Sequence, residues 1–430
     1  MQLLEDDGLE QGGDGNPPDP IRRSVITSCS TRSLCDFVCE IRAVSGVSLF
    51  DLFVLRDTDI EDIEAEEGEL LPKRESDERP DTRTSTQILA ESQNFEPIGK
   101  WIQGQFRRCN PKRQRRNFEP IGKWIQGLFR RCNPKRQRRG AEPVRVAALA
   151  TYFPEITARS HLDHQVEGGA DRSDVPFHVA ERAIANTVRL ALQLKAAGLM
   201  EHAVVEIVCG SILDRCLCRS CEAKRGEPRD DRRRDIVIRS DRDTKIGLLC
   251  DRLLEVVGQV RESAQGSDPD WALALELEPG PNYLLNDKAT IGKLIALLRD
   301  DPKYEPLRRH VGINVDIAHM KIAGVEARDL VRFRDWILHA HLCNHPGMHT
   351  RDQVVGVWIP VERYCGEDYP YLRLLAEIDE SSRDRQGRPF TRTVALELEG
   401  CSRINWVHRS LVAMKHMTEV LKHHREELPL

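Results

Sequence analysis

Four short apolar segments in the second half of the chain constrain its fold more than any other feature. They are residues 271–280 (WALALELEPG), 311–319 (VGINVDIAH), 337–342 (ILHAHL) and 394–400 (VALELEG). Side chains alternate faces along an extended strand with period two. Leu273, Leu275 and Leu277 therefore share one face of the first segment, and Ala274, Glu276 and Glu278 the other. In the second, Ile313, Val315 and Ile317 oppose Asn314 and Asp316. In the third, Leu338, Ala340 and Leu342 oppose His339 and His341. In the fourth, Val394, Leu396 and Leu398 oppose Ala395, Glu397 and Glu399. A strand with one apolar face and carboxylates or imidazoles on the other is costly in an ordinary core, because buried charges need a partner or a metal ion. The pattern suits a closed β/α barrel. There the apolar faces meet outer helices, the polar faces converge on the axis, and active sites gather at the C-terminal ends of several strands.

From residue 144 onward the chain alternates strand and helix signals, as parallel α/β proteins do. The expected class is α/β, a (β/α)8 TIM-type barrel over residues 144–425. Seven strands are legible: residues 145–152, 203–209 and 235–239 and the four segments above. Helices are expected over 179–199, 244–262 (with Asp243 as its cap), 288–298, 327–335, 369–378 and 405–422. Either the barrel is irregular or an eighth strand lies in 154–177, in 210–243 or around 354–359.

The N-terminal third reads differently. Residues 1–93 are low-complexity and charge-dense, a composition that cannot bury enough surface to offset chain entropy, so disorder is expected. Residues 23–56 are the exception, mildly apolar and suited to a short helix or a strand pair. Residues 94–139 are a basic 23-residue tandem repeat, NFEPIGKWIQGQFRRCNPKRQRR followed by a copy that differs only in Leu128 for Gln105. The repeat carries 14 Lys/Arg against 2 Glu, about +12, so a net charge of −5 leaves about −17 on the remainder. Two copies are too few for a solenoid. The repeat is expected to be disordered and solvated without a role, the alternative being a basic arm whose Trp101, Phe106, Trp124 and Phe129 meet an anionic surface. An acidic remainder does not suit a nucleic-acid-binding surface. No apolar run has transmembrane length, and the acidic, Gly/Pro-rich first 20 residues are unlike a signal peptide. Thirteen Cys without export signals then point to reduced thiols and a cytoplasmic protein.

Taken in order, Glu278-Pro-Gly, Asp316-Ile-Ala-His319, His341 and Glu399-Gly resemble the xylose-isomerase-like barrel superfamily, in particular its sugar phosphate isomerase/epimerase group. The resemblance covers roughly residues 144–425. His349-Thr-Arg-Asp352 resembles a further His-x-x-Asp that many members carry in that loop. The resemblance implies one divalent metal ion bound by Glu278, Asp316, His341 and Glu399. Three oxygen donors and one imidazole favour Mn²⁺, Mg²⁺ or Co²⁺ and also accommodate Zn²⁺. It further implies an isomerase or epimerase acting on a sugar or related polyol ketone through a metal-stabilised ene-diolate. Glu278 and Glu399 would be its acid/base pair on opposite faces of the substrate. His319 would hydrogen-bond the substrate, and Asp352 would orient His349. Glu278 and Glu399 are preferred to Glu276 and Glu397 because they lie two residues nearer the strand end. The deeper pair would then need partners inside the barrel. Glu206 has the same inward parity, whereas His339 and His345 read as structural or exposed.

A second constellation is Cys209, Cys216, Cys218 and Cys221. These thiols are compatible with a structural Zn²⁺, but the spacing matches no ribbon or finger and reads first as reduced thiols. Among functions, a lyase or dehydratase on a similar substrate is the near neighbour of an isomerase. An endonuclease IV-like phosphodiesterase would need extra histidines on the early strands and a late Asp-x-His. Segments 145–152 and 203–209 hold no His, and the late motif is His-x-x-Asp. A third reading is a non-catalytic barrel in which the basic repeat does the binding. The expected partner is a small carbohydrate-like molecule rather than nucleic acid or a membrane. No phosphate-binding motif is evident, and a homo-oligomer is compatible with the sequence.

Overall fold

The computed structural model describes residues 21–26, 41, 45, 47–53, 144–153, 156–157, 177–216, 237–239, 241–264, 269–280, 283–343, 349–350, 353–354, 366–378, 391, 393–397, 404–424 and 427. Eight parallel strands close into a barrel. They are β1 (Arg22–Ile26), β2 (Leu49–Phe53), β3 (Arg145–Phe153), β4 (Ala203–Cys209), β5 (Trp271–Glu276), β6 (Val311–Asp316), β7 (Ile337–Leu342) and β8 (Thr393–Leu396). Each strand lies beside its predecessor in the chain, and β8 closes on β1 with Arg23 opposite Val394 and Val25 opposite Leu396. This is the (β/α)8 architecture that the polar-face pattern demands.

Two strands come from a place the sequence hides. β1 and β2 lie within residues 1–93, in the mildly apolar stretch that reads as a helix or strand pair, so the barrel starts at Arg22 rather than at residue 144. Five residues suffice for each strand because both edges are paired by neighbours: β1 between β8 and β2, β2 between β1 and β3. The segment 235–239 is not a barrel strand. Val237–Arg239 pairs antiparallel with Leu213–Cys216 in an excursion after β4. Alternation alone cannot distinguish a barrel strand from half of a hairpin. The tandem repeat falls between β2 and β3 in the chain and lies outside the described residues.

The principal helices are α1 (Phe177–Ala196), α2 (Arg242–Ser263), α3 (Lys288–Asp300), α4 (Ile317–Ile322), α5 (Ala327–Leu330), α6 (Tyr369–Glu377) and α7 (Ile404–His424). α2 buries Ile246, Leu249, Leu253, Val256 and Val260, the apolar stripe expected at helical spacing. Its cap is Asp241, which accepts from the Thr244 amide at 3.0 Å, and Asp243 pairs with Lys293 instead. None of the described helices is long and apolar enough to cross a membrane.

Two apolar layers result. The larger lies between strands and helices. The smaller, Ala148, Val204, Ala272, Ala274 and Leu338, fills the barrel interior with mostly small side chains. Leu338, expected on the outer face with Ala340 and Leu342, joins this layer at the register irregularity between Ile337 and His339, and it fits because its neighbour on β6 is Gly312: a Cβ there would collide with the Trp336 carbonyl oxygen and with Leu338 itself.

Candidate metal centre

Strand register brings one polar layer together. Glu276 ends β5, Asp316 ends β6, His341 is the penultimate residue of β7, and Glu397 directly follows β8. Asp316 lies opposite His341, while Glu276 lies opposite Asn314, two residues before Asp316, and His341 opposite Ala395, two residues before Glu397; this stagger from strand to strand brings the four polar ends together. All four are buried. Each offers a ligand atom, and the four atoms lie within 4.8 Å of one another, a group that could hold a metal ion.

The electrostatics of this layer turn on its carboxylates. Three buried carboxylates are costly unless paired. Their ion-pair partners are histidines: His341 Nδ1 is 2.9 Å from Glu397 Oε2 and 3.8 Å from Glu276 Oε1, and His319 Nδ1 is 3.1 Å from Glu276 Oε1. Burial disfavours the charge on His341, yet Glu397, Asp51 and Glu276 carry its pKa well above the ordinary histidine value. Burial likewise opposes the charge on His319, and Asp316, Glu278 and Glu276 together raise it well above that value. Both rings are thus biased toward the charged form that offsets the carboxylates. Burial also works against ionisation of Glu276, but contact with His319 and the charge on His341 hold it below the usual carboxylate range. Its neighbour Glu206 is pushed well above that range, by burial first and then by the charge on Glu276. The two neighbouring carboxyl groups are therefore pushed in opposite directions.

The donor set fits a divalent ion. Glu276 Oε1 is buried and accepts no hydrogen bond. His319 Nδ1 lies near it but directs its proton to the Leu277 carbonyl oxygen at 3.1 Å. Three carboxylates and one imidazole are a hard, mostly oxygen donor set, suited to Mn²⁺ or Mg²⁺, with Co²⁺ and Zn²⁺ also compatible.

The Asp316-Ile-Ala-His319 motif has a local cause. The strand does not run on to His319 as its apolar alternation suggests. It stops at Asp316, which caps α4: Asp316 Oδ1 accepts from the His319 backbone amide at 2.9 Å. This turn folds the His319 ring back over the barrel mouth, where its Nε2 stands 4.0 Å from Glu278 Oε2. Cys343 Sγ approaches Asp316 Oδ2 at 3.4 Å, and burial pushes that thiol well above its ordinary pKa.

One level away stands a chain of groups that sequence reasoning missed. Asp51 on β2 accepts from His339 Nε2 at 2.6 Å, and His339 Nδ1 meets Thr391 Oγ1 at 2.8 Å. His339 is fully buried and faces inward, the structural alternative among its two sequence readings. Asn314 Nδ2 lies 3.3 Å from His341 Nδ1. Signals for these residues existed. His339 and His341 have the same parity, and Asp51 is the single acid in the apolar run 47–55, the same grammar as the acids of the later strands.

The structure therefore unites Asp316 and His341 with Glu276 and Glu397, each two residues before the preferred glutamate. Glu278 sits above the group, its side chain 17% exposed. Glu206 lies inside the barrel against Glu276. Glu399, Asp352, His345, Cys218 and Cys221 lie outside the described residues, and His349, Cys209 and Cys216 are described only as backbone within strands.

No protein-family model matches the chain, and no curated protein matches it. Solved structures similar to it include a xylose isomerase domain protein from Alicyclobacillus acidocaldarius (11% identity, TM-score 0.45, covering 93% of this chain and 99% of that one). A probable 3-DHS dehydratase involved in petrobactin synthesis from Bacillus anthracis is similar at 11% identity and TM-score 0.40, over 94% of this chain and 100% of that one. Endonuclease IV from Thermus thermophilus is similar at 11% identity and TM-score 0.41, over 91% and 99%.

Proposed function

We propose that this chain is a divalent-metal-dependent isomerase or epimerase acting on a sugar or related polyol ketone. The observation that carries the reading is the buried group Glu276, Asp316, His341 and Glu397, with a carboxylate oxygen that accepts no hydrogen bond, at the C-terminal ends of four barrel strands. These four residues would hold the ion. Such an ion polarises a substrate carbonyl and makes the neighbouring C–H more acidic.

The chain's own groups do the rest. Glu278 is the carboxylate open to the barrel mouth, and His319 beside it is anchored through Nδ1, with Nε2 facing Glu278. Glu278 is placed to take a proton from a substrate carbon, with His319 holding the substrate oxygen. Glu399 follows Glu397 at the spacing by which Glu278 follows Glu276, and is assigned the opposite face of the substrate. A proton removed at one face and returned at the other inverts a centre, and one returned to the adjacent carbon isomerises. A lyase or dehydratase starts with the same abstraction. The phosphodiesterase alternative is weakened because the first four barrel strands contain no histidine, a statement that now extends to β1 and β2.

The test is metal content of the full chain followed by deuterium uptake from solvent into a panel of ketoses, read by NMR. One divalent ion per chain and metal-dependent C–H exchange in at least one ketose is the expected result. A loaded protein that exchanges none of them and cleaves abasic DNA would remove the reading.

A further inference from the structure

The two ring nitrogens of His341 face different chemistry. Nδ1 looks at Glu397, Glu276 and Asn314. Nε2 looks the other way, toward Asp51 Oδ2 at 3.7 Å. Both His341 and Asp51 are fully buried, and His341 Nε2 and Asp51 Oδ1 have no hydrogen-bond partner. Orphaned buried polar atoms are rare and costly. The oxygen 3.7 Å from His341 Nε2 is Oδ2, about half an ångström beyond hydrogen-bond reach and already accepting from His339; Oδ1 of the same carboxylate is the acceptor left over.

From this geometry we infer that Asp51 is the positioning residue for the metal-binding histidine: it takes the Nε2–H of His341 and so leaves the Nδ1 lone pair for the cation. The inference rests on the metal reading above. A neutral imidazole has one donor and one acceptor nitrogen, so fixing the proton at Nε2 fixes the ligand at Nδ1. Metal-bound histidines commonly give their other N–H to a carboxylate, which sets the ring orientation and strengthens the ligand. Asp51 is itself held in place by His339, which spends both nitrogens inside the protein, one on Asp51 and one on Thr391. Asp51, His339 and His341 also offer ligand atoms within 4.8 Å of one another. With His339 already engaged at both nitrogens, the group works as a hydrogen-bond chain, Thr391–His339–Asp51–His341, rather than as a second ion site.

The experiment uses the full chain and Mn²⁺ alone, with free Mn²⁺ counted by electron paramagnetic resonance. Wild type should bind one ion. Asp51→Asn should still bind one, about 10- to 100-fold more weakly, with the circular dichroism of the metal-free protein unchanged. In ¹⁵N-histidine NMR of Zn²⁺-loaded wild type, His341 should carry its proton on Nε2. Unchanged affinity in Asp51→Asn overturns the inference. So does a second Mn²⁺ on wild type that the variant loses, since Asp51 would then be a ligand. If the variant does not fold, the wild-type spectrum decides alone, and a proton on Nδ1 is the refuting result. A wild type that binds no Mn²⁺ removes the metal reading and this inference together, whereas the other failures remove this inference only.

Discussion

Replacing Glu276 by Gln, beside Glu278→Gln in parallel, tests which level of the barrel carries the chemistry. Both substitutions keep side-chain shape and remove one charge. A cation held among the ligand atoms of Glu276, Asp316, His341 and Glu397 lies within their 4.8 Å spread of each carboxylate. Two unit charges 4 Å apart at an effective dielectric of 20 interact by about 4 kcal/mol. A divalent ion doubles that, and an amide oxygen recovers part of it, so a net loss of about 4 kcal/mol is a fair expectation. That is roughly a thousandfold in affinity, at about 1.4 kcal/mol per factor of ten. Glu278 is partly solvated, stands 4.0 Å from His319 and lies outside the ligand group, so less than about tenfold is expected. Isothermal titration with Mn²⁺ measures both, and circular dichroism checks that each variant is folded. An affinity loss in Glu278→Gln as large as in Glu276→Gln would refute the reasoning and move the ligands up to the level of Glu278 and Glu399.

Other outcomes follow from particular contacts. Gly312→Ala should overpack the barrel floor against Leu338 and the Trp336 carbonyl. It should cost about 1–3 kcal/mol and lower the melting temperature by about 2–4 °C per kcal/mol; an unchanged melting curve would show that the floor can yield. Deleting residues 1–143 removes β1, β2 and Asp51 and should abolish folding, whereas excising 94–139 removes none of the described strands and should leave metal binding intact. Metal uptake by the long truncation would contradict the barrel closure. Glu206, with its pKa raised in the fold, stabilises the metal-free protein fully below the unfolded glutamate value, and that contribution disappears as pH rises through the folded value. Glu206→Gln should therefore flatten the alkaline decline in metal-free stability, as read by urea denaturation at several pH values. A decline as steep as that of wild type would mean Glu206 is not held protonated.

Much of this was legible in the residues. The alternation in WALALELE, VGINVD, ILHAHL and VALELE shows which faces are apolar, and only a closed barrel with outer helices uses such strands comfortably. The carboxylates and His341 are assigned inward by parity alone. Parity has a period of two residues, so it cannot choose between Glu276 and Glu278 or between Glu397 and Glu399; each pair faces the same way. That choice needs stagger between neighbouring strands, and stagger is a tertiary quantity set by pairings such as Asp316 with His341. The turn at Asp316 needed a cap in three dimensions before His319 could leave the strand and reach Glu276. β1 and β2 were obscured because a strand paired on both edges can be short and weakly apolar, leaving little periodic signal in a charged stretch. Asp51 followed them into obscurity, since its role depends on His339 and His341, nearly three hundred residues away in sequence. The sequence by itself determined the inward chemistry of the strands. The tertiary structure decided which level of that chemistry converges, because convergence depends on strand register and not on the order of residues along any one strand.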